Sequence, residues 1–492
     1  MIDTKALREK ILDLAMRGKL VPQDPNDEPA SELLKRIKAE KEELIKQKKI
    51  KRDKNETEIF RGDDGIHYEK FTDGTVKEIE VPYELPVGWE WARIASATKN
   101  ITAGGDKPKE VSSEKTNDFQ IPIYSNGIKD NGLYGWAKEA KVFEPSVTVS
   151  ARGTIGFTAI RNHPFVPIVR LISVTPLEKT VDVSFLKYML SHLIPTGEGT
   201  SIPQLTVPGL KPFLIALPPY HEQLKIVQSI KSYLKLIDEI DNNQLELNNI
   251  TVQLKQKVLD VAMQGKLVPQ DPNDEPASVL LEKIRAEKLK LFEEGKLKKK
   301  DLVETEIVKG DDNAYYEKLP DSWNCVTLSS IVDYRMGKTP DTKNEAYWIG
   351  PGFPWVSIAD MGKNRYVTST SRTVTEKALS EVFNHIVSPK GTLIMSFKLS
   401  IGKVGLLNQD SVHNEAIISI FPYLNDDYSL RDYLFCILPV VSNSGETVSA
   451  IKGKTLNSKK IDALPIPLPP VREQREISQT INKLYRILEV FS

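Results

Sequence analysis

The chain has 492 residues, with 67 Lys plus Arg balanced by 67 Asp plus Glu, 40% hydrophobic and 27% charged residues. That length allows two to four domains, each able to bury a core, and no apolar run approaches the roughly 18 residues of a membrane span. Two cysteines, Cys325 and Cys436, exclude a disulfide scaffold and a four-cysteine zinc site. The N-terminus Met1-Ile2-Asp3-Thr4-Lys5 leads into a mixed-charge helix rather than a signal peptide, so a reducing cytoplasm is expected.

In residues 1–84 the dominant feature is a repeat. Leu7–Lys41 returns as Leu254–Lys288 at an offset of 247, and the thirteen residues Lys19–Ser31 are identical to Lys266–Ser278. The prolines of the shared VPQDPNDEPAS block forbid a helix interior. An ordered loop is predicted there, followed by a helix with Ser31 or Ser278 as N-cap. Glu56-Thr57-Glu58-Ile59 and Gly62-Asp63-Asp64 also match Glu304–Ile307 and Gly310–Asp312, but residues 71–84 have no second copy.

Residues 85–216 open on Leu85-Pro86 with Trp89 and are strand-rich and turn-rich. Asn126-Gly127 is a hairpin signal. Ser146–Ile160 reads as a strand, a basic residue and a small-residue turn, Arg152-Gly153-Thr154-Ile155-Gly156, where glycine lets backbone approach a ligand.

Residues 217–318 begin with Leu217-Pro218-Pro219-Tyr220-His221-Glu222-Gln223, which returns as Leu468–Gln474 at the different offset of 251. A heptad seam follows: Ile226, Tyr233, Ile240, Leu247, Leu254 and Val261, with Ile230, Ile237, Gln244, Thr251 and Val258 four residues on. It predicts a helix on the order of 60 Å long, begun at Pro218-Pro219 and stopped by Gly265 and Pro269. The Lys-rich runs Lys46–Lys54 and Lys296–Lys300 read as solvated helix ends.

Residues 319–467 open on Leu319-Pro320 with Trp323. They carry the turn Lys398-Leu399-Ser400-Ile401-Gly402-Lys403 inside Gly391–Leu407. Residues 468–492 continue the helical seam through Ile477, Ile481, Leu484 and Leu488, as Leu7, Ile11 and Leu14 do at the other end. Joining the two ends would rebuild a shortened central segment, and the split copy is expected to pair antiparallel with the central helix. The expected class is therefore α+β: two strand-rich globular domains, 85–216 and 319–467, joined by long antiparallel coiled-coil helices with circular pseudo-two-fold symmetry.

Charge is uneven. Residues 85–216 carry 14 basic against 11 acidic residues and residues 319–467 carry 15 against 14, which leaves the remainder acidic by four. Basic residues beside Gly, Ser, Thr, Asn and aromatics suit phosphate and base-edge contacts. Catalytic signatures are missing. Gly337-Lys338-Thr339 and Gly453-Lys454-Thr455 have Val332 and Val448 where a P-loop needs its first glycine. Leu217 cannot grip an exocyclic amine as the polar residue of an amino-methyltransferase motif would. No metal-binding histidine spacing appears.

Two variable segments bounded by repeated helical segments with LPP…EQ resemble the specificity subunit of Type I restriction–modification systems, over essentially the whole chain. The LPxxW openings, the Asn-Gly and Arg-Gly-Thr-Ile-Gly elements, and Gly337-Lys338-Thr339-Pro340 with Tyr347-Trp348 and Pro354-Trp355-Val356 look like that family's target recognition domains. The resemblance implies that each recognition domain reads one half of a bipartite double-stranded DNA site. The helices would set the gap and dock two methyltransferase subunits. Those would carry S-adenosylmethionine, and restriction subunits would bring ATP and Mg²⁺, while this chain would catalyse nothing and bind no metal. The residues expected at DNA are Lys107, Tyr124, Asn126, Arg152, Thr154 and Gln204 in the first domain. In the second they are Lys338, Thr339, Lys343, Ser357, Lys398, Ser400, Lys403, Lys452 and Lys454. Partner docking is expected on outward helix faces at Glu222, Gln223, Glu473 and Gln474, and on the repeated blocks at Pro22, Asp24, Pro269 and Asp271. The competing reading is a coiled-coil scaffold whose variable domains bind protein.

Overall fold

The computed structural model describes all residues except 54–55, 195–196, 199–203, 303–318, 363, 444–447, 451–452 and 491–492, and the side chains of 197–198, 300, 448–450 and 453–455. The second copy of the 56–64 stretch lies outside the described residues. The chain forms two compact units, Met1–Gln244 and Leu245–Ser492, and the boundary falls inside one helix of 44 residues, Tyr220–Met263. No described helix is long and apolar enough to cross a membrane.

In the first unit, the helix Thr4–Met16 starts at Asp3, whose side chain accepts from the Ala6 N–H. It runs antiparallel to the first half of the long helix: the Ile2 N–H meets Gln244, and Arg8 pairs with Asp238 at 2.7 Å and Asp241 at 2.9 Å. In the second unit, the helix Val471–Glu489 runs antiparallel to the other half, with Tyr485 donating to the Lys255 carbonyl and Arg472 reaching Asp271. The seam is narrower than the heptads predict. Ile226, Ile230, Ile237 and Thr251 are buried, whereas Tyr233, Leu247 and Leu254 are more than 40% exposed. One short helix covers only one stripe of its partner.

The two variable segments share a topology their sequences do not reveal. In the first unit a sheet has the order Thr158–Arg161, Ser146–Val149, Ile172–Thr175, Asn100–Ala103. The second unit repeats it as Val404–Leu407, Leu393–Ser396, Ile417–Pro422, Val332–Met336, with Tyr366–Val367 added beyond Val404–Leu407. A three-stranded sheet accompanies each. Ile121–Tyr124 sits between Val166–Pro167 and Leu133–Ala137, and Gly352–Val356 sits between Val412–His413 and Arg372–Thr375. The central strands Ser146–Val149 and Leu393–Ser396 are buried throughout. Their polar side chains are satisfied: Ser146 bonds Thr175 at 2.8 Å, and Ser396 accepts from the Lys403 N–H. A helix closes each domain, Val183–Leu193 or Ser429–Val441.

Each segment returns to its start. Leu214–Leu217 pairs antiparallel with Glu90–Arg93, and Pro465–Leu468 with Asn324–Thr327. This brings LPxxW beside LPP…EQ. The extra residues 71–84 complete a meander of Thr57–Arg61, His67–Phe71 and Val76–Glu78. They also lay Tyr83 against Trp91, its hydroxyl donating to the Met16 carbonyl at 2.9 Å. Burial pushes that phenol up to about 12.

Candidate nucleic-acid interface and the repeated junction

The basic turn predicted in each domain exists, and both are built alike. After Ser146–Val149 the Ser150 N–H donates to Phe157 and the Gly156 N–H to Ser150. After Leu393–Ser396 the Ser396 N–H donates to Lys403 and the Gly402 N–H to Ser396. Gly153 and Gly156 adopt φ of 71° and 84°; Leu399 and Gly402 adopt 65° and 78°. A leucine held left-handed is strained, so the shape is imposed by the fold rather than by glycine alone. Arg152 is exposed at the first turn, and Ser400 is exposed and Lys398 half-buried at the second. The chain leading to the closing strand passes alongside: Leu205 N–H donates to Ala151, and Leu456 N–H to Phe397.

Several residues expected at DNA make bonds within the fold. Tyr124 is 8% exposed, bonds His163 at 3.0 Å, and lies beneath the Arg161 guanidinium 3.5 Å from its ring. Asn126 spends both ends of its amide on backbone, accepting from the Ala151 N–H at 2.8 Å and donating to the Val169 carbonyl at 2.7 Å. Ser357 closes a turn on Asp360 at 2.7 Å. Lys403 donates to the Ile358 carbonyl at 2.8 Å, and Lys338 to Val382 at 2.7 Å. Thr154 is half-buried. Each of these bonds takes up one donor or acceptor of its side chain, and the Lys338 and Lys403 ammonium groups keep further donors. Lys107, Gln204, Lys338, Thr339 and Lys343 are exposed. Lys107 rests over the Tyr134 ring at 5.8 Å. Lys452 and the side chain of Lys454 lie outside the described residues.

Sequence reasoning missed two features. Arg372 stacks on Trp348 at 3.8 Å, and Trp348 meets Trp355 edge-on at 5.1 Å. Val169 and Arg170, both exposed, adopt φ of 52° and 61°. No sequence signal marks a left-handed valine.

The repeated block builds the same junction in each unit. Gly18 and Gly265 turn the chain with φ of 65° and 68°. A Cβ on Gly18 would stand 2.4 Å from Pro86, and one on Gly265 2.4 Å from Pro320. Gln23 donates to the Gly18 carbonyl and to Glu222, and Gln270 to the Gly265 carbonyl and to Glu473. The Trp323 indole donates to Glu473 at 2.8 Å. Gln223 and Gln474 donate to Pro218 and Pro469. Asp24 and Asp27 face Lys225, while the equivalent Asp271 and Asp274 face Arg472, which stands one helical turn earlier in its repeat.

This corrects the docking expectation at four positions. Glu222, Gln223, Glu473 and Gln474 are at most 3% exposed, so they lie inside the junction and not on an outward face. Burial raises the pKa of both carboxyls. Pro22 and Pro269 are exposed, and Asp24 and Asp271 half-buried. The capping expectation also fails: the helices start at Ala30 and Ala277 behind Pro29 and Pro276. Their first N–H groups donate to Gly88 and Ser322 at 2.8 Å, so the LPxxW turn satisfies the helix end that a serine was expected to cap.

A family model described as Type I restriction modification DNA specificity domain matches residues 86–249 and 320–490. The EcoAI specificity subunit of Escherichia coli is 33% identical over 68% of this chain and 63% of that protein. The chain thus spans under two thirds of that relative's length. The EcoEI specificity subunit, also from Escherichia coli, is 27% identical over 99% of this chain and 89% of its own. A solved structure titled for complex assembly and conformational transition of the type I R-M system shares the fold, with a TM-score of 0.52 and 17% identity over 83% of this chain and 93% of that one. The chain belongs to the family of Type I restriction–modification DNA specificity subunits.

Proposed function

We propose that this chain supplies DNA sequence specificity to a Type I complex, with residues 85–216 and 319–467 each reading one half of a bipartite double-stranded site. The observation that carries the reading is that two segments of unlike sequence share one topology and present the same basic-tipped turn, at Arg152 and at Lys398. A common frame with different side chains at its tip suits two different half-sites. The helical segments act as the antiparallel coiled-coil spacer that sets the gap, related by the circular pseudo-symmetry of the repeats. They dock two methyltransferase subunits, for which the exposed Pro22 and Pro269 and the adjoining Asp24 and Asp271 are candidate contacts. S-adenosylmethionine belongs to those methyltransferase subunits, and ATP and Mg²⁺ to restriction subunits. The chain itself is non-catalytic and works in the cytoplasm.

The test is co-expression with the cognate methyltransferase subunit in a methylation-free host, followed by genome-wide mapping of modified bases. A bipartite motif with a fixed gap supports the reading. An assembled complex that binds S-adenosylmethionine but modifies nothing refutes it in favour of a protein-binding scaffold.

A further inference from the structure

Residues 85–216 contain four arginines, Arg93, Arg152, Arg161 and Arg170. Two are committed inside the fold. Arg93 grips Glu69 through two bonds of 2.9 and 2.7 Å, and Arg161 is buried against Thr148, the Asn131 carbonyl and the Tyr124 ring. The other two, Arg152 and Arg170, are exposed, and neither guanidinium has a hydrogen-bond or ion-pair partner among the described residues. Both stand next to residues held by one side chain. Asn126 accepts from the N–H of Ala151 and donates to the carbonyl of Val169, so each arginine follows a residue one hydrogen bond from the same amide.

The backbone under Arg170 is held in place from several sides. Val169 is β-branched and left-handed, a conformation that persists only where its surroundings fix it. The Val169 and Arg170 N–H groups donate to Gly105 and Gly104, each at 2.9 Å. Gly104 allows this approach, since a Cβ there would stand 2.5 Å from the Pro167 carbonyl carbon. The second unit has the basic turn at Lys398, but the loop after Val412–His413 carries Asn414 and Glu415 in place of a second arginine.

We infer that Asn126 is a positioning residue that sets Arg152 and Arg170 as a paired guanidinium reader, and that Arg170 determines specificity in the half-site read by residues 85–216. The chemistry it fits is guanine, whose O6 and N7 accept a planar two-donor fork in the major groove. This rests on the DNA-reading function proposed above.

The experiment uses the chain assembled with its methyltransferase subunits. It measures the modified motif and affinity for the cognate and a scrambled duplex, with thermal midpoints to confirm folding. Arg170→Ala is expected to weaken cognate binding on the order of 10- to 100-fold, leave scrambled binding nearly unchanged, and relax one guanine position in one half. Asn126→Asp keeps the acceptor for Ala151 and loses the donor to Val169. It should reproduce the Arg170 defect, and in the Arg170→Ala background it should cost nothing further on DNA; a purely structural asparagine would add its loss regardless. Selective wild-type binding with an unchanged Arg170→Ala motif overturns this assignment alone. A wild-type complex with no selectivity overturns the DNA-reading function as well. Equal losses on both duplexes make Arg170 a phosphate contact and overturn its role as a base reader.

Discussion

The repeated glycine turn gives a quantitative test of why the VPQDPNDEPAS block is preceded by the same residues twice. Gly265→Ala carries two penalties. A left-handed alanine costs roughly 1–2 kcal/mol. Its Cβ would also lie 2.4 Å from Pro320 Cγ, 2.7 Å from Pro320 Cδ and 3.3 Å from Trp323. A proline ring cannot swing aside, so the overlap costs about 1–3 kcal/mol more. Gly295 is the control, because its φ is 72° and nothing lies within 4 Å of an added Cβ. Gly295→Ala therefore carries the conformational penalty without the clash. For a unit of this size the differential corresponds to roughly 2–12 °C in the midpoint, readable by scanning calorimetry of the second unit's transition. Equal midpoints for the two variants would refute the close-packed junction. Gly18→Ala should show the same excess in the first unit, since its Cβ would meet Pro86 at 2.4 Å.

Other outcomes follow from the same geometry. Glu69 is buried and held by Arg93 and Thr57, so Glu69→Ala should cost about 3 kcal/mol, and removing Arg93 as well should cost less than the sum; additive losses would argue against a coupled pair. The Arg93 guanidinium lowers the Glu69 pKa, so that stability is present above the unfolded value and lost as pH falls through the folded one, and Glu69→Gln should flatten the acid limb of an unfolding titration. Glu473 has the opposite sign: burial raises its pKa, so its contribution is present below the unfolded value and lost as pH rises through the folded one. Glu473→Gln should remove that decline, and a curve parallel to wild type would show that Glu473 does not cause it. Replacing residues 85–216 with the equivalent segment of another specificity subunit should change one half of the modified motif and leave the other half and the gap intact. A change in both halves would refute independent reading.

Much of the architecture was legible because repeats and periodicity are local properties of a chain. The identical Lys19–Ser31 and Lys266–Ser278 announced one structure made twice, and LPP…EQ with the heptads announced the long helix. Turn chemistry also located the basic loops: the glycines of Arg152–Gly156 adopt the left-handed conformation their composition implied. Side-chain identity alone, however, does not say which way a residue faces. Glu222 and Gln223 read as a helix surface, yet both are buried, Glu222 accepting from Gln23 and Gln223 bonding Thr180 and Asp182. Ser31 read as a cap, but a backbone carbonyl from Gly88 does that work.

The sequence by itself therefore determined the duplicated plan, the long helix and the position of the basic turns. Only the tertiary structure decided that residues 85–216 and 319–467 share a topology, because sheet order is fixed by hydrogen bonds between strands far apart in the chain and many side-chain patterns satisfy it. It also decided which polar groups remain for a ligand. Tyr124, Asn126, Ser357 and Lys403 bond partners 3 to 45 residues away, while Arg152 and Arg170 are left exposed; contacts between residues distant in the chain, not residue type, decide which side chains are engaged.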